Sequence, residues 1–389
     1  MAPIVSSRQQ MADLLDERMN KTYAQLSSMQ ELETDTTLLK TYLVEAHGHD
    51  PRNGASSEPI ARAFSEGILG DKVTTRVSQS SDESLMIVEG RVKSERINLF
   101  LDVSDPRFWL VHSMASSVSL DWLFERLITT LPEIDQVWLP NSLLVKIASL
   151  GSFRGLGLDY DRRVVPDVDF EGPDAPVEFL KMQLWGNKAA EILDLFRFSE
   201  SFKHYTTLSK VKIKFVSAAV GPEKHFTIDD FKFNGKITAR GTSFQCHLTL
   251  VADVYRRYKA AVCQLEEKYA LLWTSDNGNI ILEGEPLVIT FEPPIADLER
   301  FAEKLFSGTA PFRLWGVPTF LSKRFCRVSA VDLHVGKTLS FEVAPDFMRI
   351  YLPKGCCGNT ILRIFTNLQH HYNSLVSASD SKGSRLLEF

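Results

Sequence analysis

Two stretches of the chain share identical residues in the same order, and this internal similarity constrains the fold more than any other feature. Trp138, Leu144 and Lys146 match Trp315, Leu321 and Lys323, with each pair 177 residues apart. Further pairs follow at similar offsets: Phe170 with Phe341, Glu171 with Glu342, Pro173 with Pro345, Asp174 with Asp346, Gly186 with Gly358, Asn187 with Asn359, His204 with His371, and Tyr205 with Tyr372. The ordered set predicts an ancient duplication. The alternative is that two α/β segments share turn and helix-entry residues by chance.

The elements around these matches alternate between strand-like and helical patterns. Residues 8–46 carry apolar side chains at a spacing near 3.6 and predict a helix. Four strand-like runs follow at 72–78, 85–92, 97–103 and 108–112. Later segments continue the alternation: a helix from 120, strands in KVKIKFV, FKFNGKITARG and SFQCHLTLV, a long helix over 254–272, and a short helix in TFLSKRF.

This order predicts an α+β chain made of two tandem, duplicated α/β modules with mixed sheets and a helical N-terminal extension. We expect the extension and its linker over residues 1–70 and the first module over 71–208. The second module is expected over 209–389, including an inserted segment of strands and one long helix.

Composition excludes several classes of protein. The chain has 389 residues, 44% of them hydrophobic, which is enough for two cores. No apolar run reaches about 18 residues, so no membrane span is expected. A net charge of −5 excludes a uniformly basic nucleic-acid binder, and five cysteines are too few for a disulfide scaffold. Acidic residues precede any long apolar run, so a signal peptide is not expected. The sequence predicts a cytoplasmic protein without a cofactor.

Charge divides unevenly along the chain. Residues 1–200 hold 20 basic and 31 acidic residues, whereas residues 201–389 hold 24 and 18. The basic half predicts a surface for a protein partner or for the phosphates of a nucleic acid. Its candidate residues are Lys210, Lys212, Lys214, Arg256, Arg257, Lys323, Arg324 and Arg327. The alternatives are ordinary solvated faces, or head-to-tail association of acidic and basic halves.

Cys357 is the one candidate catalytic residue. It comes directly before a predicted helix, where the positive end of the helix dipole favours a thiolate. A histidine partner would have to come from elsewhere, such as His334 or His112. The alternative is a small buried residue at a tight turn.

No metal site is predicted, although the sequence contains three sets of potential metal ligands. Cys356 and Cys357 with His370 and His371 lack the paired spacing of a zinc site. His47, His49 and Asp50 lie in a Gly- and Ser-rich loop. The carboxylates Glu342 and Asp346 recur as Glu171 and Asp174 in the other copy and could hold a divalent metal. The basic residue that completes such a site is not found at a shared spacing, so an ordinary turn at a strand edge is favoured.

The sequence lacks a phosphate-binding GxxxxGK[ST] loop, a GxGxxG dinucleotide motif, a GxSxG elbow and an HExxH pair. We therefore expect a non-enzymatic binding or assembly subunit that recognises a protein partner, itself or a nucleic acid through its basic C-terminal half. The alternative is a thiol- or metal-dependent hydrolase or nuclease with its site in the second module.

Overall fold

The computed structural model describes residues 5–28, 38–47, 58–166, 176–217, 225–276 and 279–388. Four of the duplication residues, Phe170, Glu171, Pro173 and Asp174, lie outside the described residues, as do His49 and Asp50 of the predicted loop.

The chain has a mixed α+β fold. The helices of the described part are α1 (Arg8–Ser27), α2 (Glu58–Ser65), α3 (Ser117–Thr130), α4 (Asn141–Ala148), α5 (Ala189–Phe198), α6 (Phe244–Lys268), α7 (Leu298–Leu305) and α8 (Gly358–His371). Its first strands are β1 (Leu39–Ala46), β2 (Val73–Gln79), β3 (Leu85–Val92), β4 (Glu95–Asp102), β5 (Phe108–Ser113), β6 (Ile134–Gln136), β7 (Ser152–Asp161), β8 (Phe179–Trp185), β9 (Leu208–Val216), β10 (Phe226–Lys232) and β11 (Lys236–Gly241). The remaining strands are β12 (Leu272–Asp276), β13 (Asn279–Glu283), β14 (Leu287–Thr290), β15 (Leu314–Gly316), β16 (Thr319–Ser322), β17 (Phe325–Asp332), β18 (Thr338–Val343), β19 (Phe347–Tyr351), β20 (Ser377–Ser379) and β21 (Arg385–Leu386).

Two compact units make up the chain. Unit 1 combines Met1–Val137, Ile147–Phe153 and Lys212–Arg256. Unit 2 combines Trp138–Lys146, Arg154–Val211 and Arg257–Phe389. Both units are discontinuous in sequence, so their limits differ from the expected boundaries at residues 71 and 209.

In unit 1 the strands follow the order β2-β3-β4-β5-β1-β11-β10. Each neighbouring pair runs antiparallel, where the sequence had predicted mixed sheets. The prediction of helix over residues 8–46 is wrong at its end, because Leu39–Ala46 forms the inner strand β1. Every residue of β1 is buried, so it shows no polar–apolar alternation and resembles a helix in sequence.

Apolar residues on the two faces of β3 and β4 belong to different cores. Met86, Val88 and Leu99 join a large core with α2 and α3. Ile87 and Phe100 point to the opposite face, as side chains alternate along a strand, and they join a smaller core with α1. Helix α1 therefore covers one face of this part of the sheet.

Unit 2 contains an antiparallel sheet in the order β15-β17-β18-β19-β14-β20-β21, and β16 also pairs with β17. Its helix α8 is buried over all residues except His371. TFLSKRF forms the β16–β17 hairpin, so the predicted short helix is wrong. Its β-branched and aromatic residues favour a strand over a helix.

Two further sequence predictions need correction. SFQCHLTLV is the first part of α6 and not a strand, because its buried residues continue the helical spacing of the segment that follows. Asn359 lies inside α8, where its side chain accepts a hydrogen bond from Tyr258. It therefore does not cap the helix as its sequence position had suggested.

Positions matched by the sequence repeat differ in structure. Lys146 lies in α4, whereas Lys323 lies in the turn between β16 and β17. Trp138 is 4% exposed and Trp315 is 57% exposed. The duplication therefore stays a prediction.

None of the helices in the described part of the chain is long and apolar enough to cross a membrane.

Candidate interaction surfaces

The three lysines of β9 do not form a free basic row. The Lys212 side chain is largely buried in unit 1, and its Nζ lies 3.1 Å from a carboxylate oxygen of Asp230. Lys214 Nζ lies 4.0 Å from the centre of the Phe226 ring. The ammonium group of Lys212 is thus held in an ion pair, and that of Lys214 in a cation–π contact. The partners of both side chains come from strand β10.

Lys210, in unit 2, contributes to an exposed aromatic face on strand β8. Its Nζ lies 3.2 Å from the amide oxygen of Gln183 and 4.9 Å from the centre of the Trp185 ring. Further along the same face, the Arg163 guanidinium lies 4.9 Å from the Phe179 ring. Cations above exposed rings are features of single-strand nucleic-acid surfaces. Acidic side chains lie close by, since Asp161 accepts hydrogen bonds from Arg163.

The two arginines of α6 have separate surroundings. Arg256 is exposed in unit 1, and its guanidinium lies 3.1 Å from the carboxylate of Asp253 one turn earlier. Arg257 belongs to unit 2 and is half-buried. Consecutive helical positions point about 100° apart, so these side chains do not act as a pair.

Lys323, Arg324 and Arg327 lie together on the β16–β17 hairpin of unit 2. Lys323 and Arg324 occupy its exposed turn. Arg327 lies on β17 and donates to the Glu342 carboxylate at 2.9 Å. This hairpin is the place where the structure brings three of the predicted basic residues together.

Glu342 is engaged by basic and phenolic groups. Arg327, Arg349 and Tyr351 donate to its oxygens at 2.9, 3.4 and 3.0 Å. Desolvation raises the pKa of Glu342, but the hydrogen bonds from Tyr351, Arg327 and Arg349 together hold it below its usual value. Asp346 lies in the exposed turn before β19. Glu342 is therefore stabilised as a carboxylate by an ion-pair network. Because its oxygens are already engaged by these donors, the geometry does not support Glu342 as a metal ligand.

Cys357 is fully buried at the start of α8. Its Sγ lies within 4.8 Å of an imidazole nitrogen of His334 and of a carboxylate oxygen of Glu266. Glu266 also accepts the first backbone N–H of α8, from Gly358, at 2.6 Å. The sequence had suggested His334 as a partner for this thiol, and the structure places the two side chains together. His334 and Glu266 each approach the thiol, and they do not belong to one common cluster of ligand atoms among the described residues. Because the thiol is fully buried, it is poorly placed to attack a substrate directly.

An exposed hairpin of unit 2 was missed by the sequence reasoning. Strands β12 (Leu272–Asp276) and β13 (Asn279–Glu283) form a separate two-stranded sheet, which we name the arm. Trp273, Ile280, Ile281 and Leu282 of the arm are 69%, 76%, 44% and 46% exposed. NIILE carries three consecutive apolar residues, and so short an apolar run does not distinguish an exposed strand from a buried one.

Comparison with known proteins gives one full-length similarity. Residues 1–385 match the family model described as MJECL33-like protein. The chain is also similar to a protein of Methanocaldococcus jannaschii printed as uncharacterized protein MJECL33, with 28% identity over 407 aligned residues. The alignment covers 96% of this chain and 93% of the relative. No solved structure matches.

Proposed function

We propose that this chain, which belongs to the MJECL33-like protein family, is an assembly subunit that pairs with a second copy of itself through the arm. The observation that carries the proposal is where the exposed apolar side chains lie. Within the described residues, seventeen of the twenty large apolar side chains that are exposed belong to unit 2. Four of these seventeen lie on the two short strands of the arm, and contiguous exposed apolar side chains are typical of protein interfaces.

The arm is anchored at its base and open along its length. Backbone hydrogen bonds join Leu271 to Leu352 and Lys354, at 2.7 and 3.0 Å. Beyond this anchor, β12 and β13 pair only with each other among the described strands, and all five residues of β13 are exposed. An isolated two-stranded hairpin is marginally stable in water. A partner strand on the β13 edge would supply the missing hydrogen bonds and cover its apolar side chains.

The sequence of β13 suits pairing with its own copy. In an antiparallel pair centred on Ile281, Ile280 lies opposite Leu282 of the second copy, and Asn279 lies opposite Glu283. Apolar residues then meet apolar residues, and no like charges face each other. A two-fold interface of this type closes after two copies. The arm therefore favours a dimer over an open chain.

Sedimentation velocity of the full chain, from about 1 to 100 µM, tests this proposal. Wild type should shift from monomer to dimer as concentration rises. Trp273→Ser with Ile280→Ser should remain monomeric, because it removes the two most exposed apolar side chains of the arm. Trp315→Ser with Val317→Ser is the matched control, since these residues are exposed elsewhere in unit 2, and it should dimerise like wild type.

The register can be tested through one position. Asn279→Lys places a lysine opposite Glu283 in both halves of the dimer and should tighten association. Asn279→Glu places two carboxylates there and should weaken it. The proposal fails if wild type stays monomeric at every concentration, if the arm variant dimerises as well as its control, or if the two Asn279 variants behave alike.

A nucleic acid is the second candidate partner. The supporting observation is the β16–β17 hairpin, where Lys323, Arg324 and Arg327 are all exposed. Neither Lys323 nor Arg324 forms a side-chain ion pair within the described part of the chain, so both side chains are available to phosphates. On β9, by contrast, Lys212 forms an ion pair with Asp230 and Lys214 lies over the Phe226 ring, so these two lysines are less available to phosphates than the hairpin.

A further inference from the structure

The face of unit 1 that α1 covers changes character along strands β3 and β4. At one end, Ile87 and Phe100 pack in the core beneath α1. Toward the other end, the same face of the strands carries Glu89 and Arg91 on β3 and Arg96 on β4, because alternate side chains share a face. This face of the sheet is therefore apolar beneath α1 and charged beyond it.

A groove of about 990 Å³ lies over this charged end. Four arginines line it, one from each of α1, β2, β3 and β4: Arg18, Arg76, Arg91 and Arg96. We name it the arginine groove. It lies in the acidic half of the sequence, where charge counting alone gave no reason to expect a basic site.

The carboxylates of the groove already have partners. Glu89 accepts a hydrogen bond from Arg76 at 2.9 Å. Glu95 accepts the backbone N–H of Ser116 at 2.7 Å and also its hydroxyl. Desolvation raises the pKa of Glu95, but the hydrogen bonds from the Ser116 and Ser119 side chains and the Ser116 backbone hold it below its usual value. Arg76 thus pairs with Glu89, whereas Glu95 accepts hydrogen bonds from serine groups and forms no ion pair with an arginine of the groove within the described residues.

Within the described part of the chain, three guanidinium groups of the groove have no carboxylate partner. Arg91 donates to the backbone carbonyl of Ser94 at 3.1 Å. Arg18 and Arg96 form no hydrogen bond or ion pair within the described residues. Arg91 and Arg96 are also direct cross-strand partners in the β3–β4 register. Like charges in that position destabilise a sheet, so the arrangement costs stability when the groove holds no anion.

We propose that the arginine groove binds a phosphate-bearing ligand of nucleotide size. Planar guanidinium groups donate two parallel hydrogen bonds to phosphate oxygens, which suits arginine better than lysine for this task. Arg18 from the helix and the Arg91–Arg96 pair from the sheet approach one anion from two sides. The apolar residues Phe100 and Met114 line the same groove and offer contact to an organic group. Its volume lies at the upper end of the usual range for small-ligand sites.

Isothermal titration calorimetry with ATP, tripolyphosphate and adenosine tests the proposal on the full chain. ATP and tripolyphosphate should bind at low salt and weaken as salt rises, whereas adenosine should bind at least tenfold more weakly than ATP. Tighter binding of ATP than of tripolyphosphate would assign a contribution to the nucleoside, and equal binding would assign the site to the phosphates alone. Either result supports a phosphate site.

Variants separate the groove from general charge effects. Arg91→Gln with Arg96→Gln should weaken ATP binding at least tenfold. Arg91→Lys with Arg96→Lys should lie between this variant and wild type, because it keeps the charge and loses the bidentate geometry. Arg62→Gln with Arg385→Gln removes the same charge from exposed ion pairs elsewhere and should stay within twofold of wild type. Thermal unfolding without ligand checks folding: the glutamine variant should be at least as stable as wild type, since a like-charge pair is removed.

Three results would overturn the proposal: no binding of ATP or tripolyphosphate at about 50 mM salt, equal affinity for ATP and adenosine, or equal affinity in the glutamine variant and its control. The site is independent of the proposed assembly. Trp273→Ser with Ile280→Ser should bind ATP like wild type even where it fails to dimerise.

Discussion

Asp332 and Arg363 form an ion pair with no exposure to solvent in unit 2. Arg363 also donates to the carbonyl of Phe312 at 2.8 Å, and Asp332 accepts from the hydroxyl of Thr360 and the backbone of His334. Each charge is therefore surrounded by hydrogen bonds that replace water. Removing one partner of such a pair leaves a buried charge without compensation.

We predict that Asp332→Asn lowers the free energy of unfolding by about 3–5 kcal/mol. The reason is the burial of the Arg363 guanidinium, which keeps its charge when its partner becomes neutral. Arg327→Gln is the control, because it breaks an exposed pair with Glu342 and should cost about 1 kcal/mol or less. Urea unfolding of both variants measures the difference. Equal losses would show that the buried pair contributes no more than the surface pair.

A line of hydrogen bonds is buried in unit 1. His247 Nδ1 lies 2.8 Å from Asp229, its Nε2 lies 2.7 Å from the Thr41 hydroxyl, and that hydroxyl lies 2.9 Å from His112 Nδ1. The side chains are fully buried, so this series resembles a catalytic relay in its chemistry but not in its access to solvent. Its consequence is a dependence of stability on pH.

Burial, the nearby His247 and Arg8 lower the pKa of His112 to about 3, and Asp102 opposes them. Burial and the nearby His371 likewise lower the pKa of His370 to about 3, with a hydrogen bond to the Asp159 backbone opposing them. In the unfolded chain both titrate near 6.5, so the unfolded state binds more protons between pH 3 and 6.5. Stability is therefore fully present above pH 6.5 and is lost as pH falls.

We predict that His112→Asn flattens this dependence. The amide can still donate toward Thr41, whereas the titrating ring is gone. Below about pH 5.5, where the unfolded ring is protonated and the folded ring is not, the free energy of unfolding should change by about 1.4 kcal/mol less per pH unit than in wild type, which corresponds to one proton. Urea unfolding between pH 7.5 and 4.5 measures both slopes. His225→Asn is the control, because this exposed residue lies directly before β10, and it should retain the wild-type slope. An unchanged slope in His112→Asn would contradict the prediction.

Single elements show which parts of the fold can be read from sequence. Strands β2 to β5 were predicted close to their observed limits, because their apolar residues alternate or saturate and turns separate them. Strand β1 was missed because its neighbours β5 and β11 come from distant parts of the chain and bury it completely. Periodicity reports the environment of an element, and a strand enclosed on both faces has lost the signal that distinguishes it from a helix.

Whether a basic side chain is available to a ligand depends on its partners in the folded chain, and these partners cannot be identified from the local sequence. Lys212 was predicted as part of a phosphate surface, and its neutralising partner Asp230 comes from the next strand. The arginine groove shows the opposite case. Arg91 and Arg96 become neighbours through the β3–β4 register, and Arg18 joins them from a helix more than 70 residues earlier. Charge counts along the sequence give no indication of this groove, because its arginines lie in the half of the chain with an acidic balance.

For the whole molecule, the distribution of charge predicts how strongly salt affects nucleic-acid binding. Only the β16–β17 hairpin gathers several exposed candidate cations, so we expect single-stranded RNA to bind weakly and through few phosphates. Each phosphate contact with a single strand contributes about −0.7 to the slope of log affinity against log salt. Replacing Lys323, Arg324 and Arg327 by alanine should therefore reduce that slope by about 2 in magnitude.

Fluorescence anisotropy of a labelled 20-nucleotide RNA, measured from about 25 to 300 mM salt, provides this slope. A charge-matched control replaces Arg62, Lys188 and Arg385 by alanine; each forms an exposed ion pair with a nearby glutamate. If the salt dependence comes from contact between the RNA and the hairpin, the control keeps the wild-type slope although both variants lose three charges. If net charge alone is responsible, the two variants weaken alike, and the hairpin is excluded as a nucleic-acid surface. Because the arm lies outside both sets of substitutions, dimerisation should be the same in all three proteins.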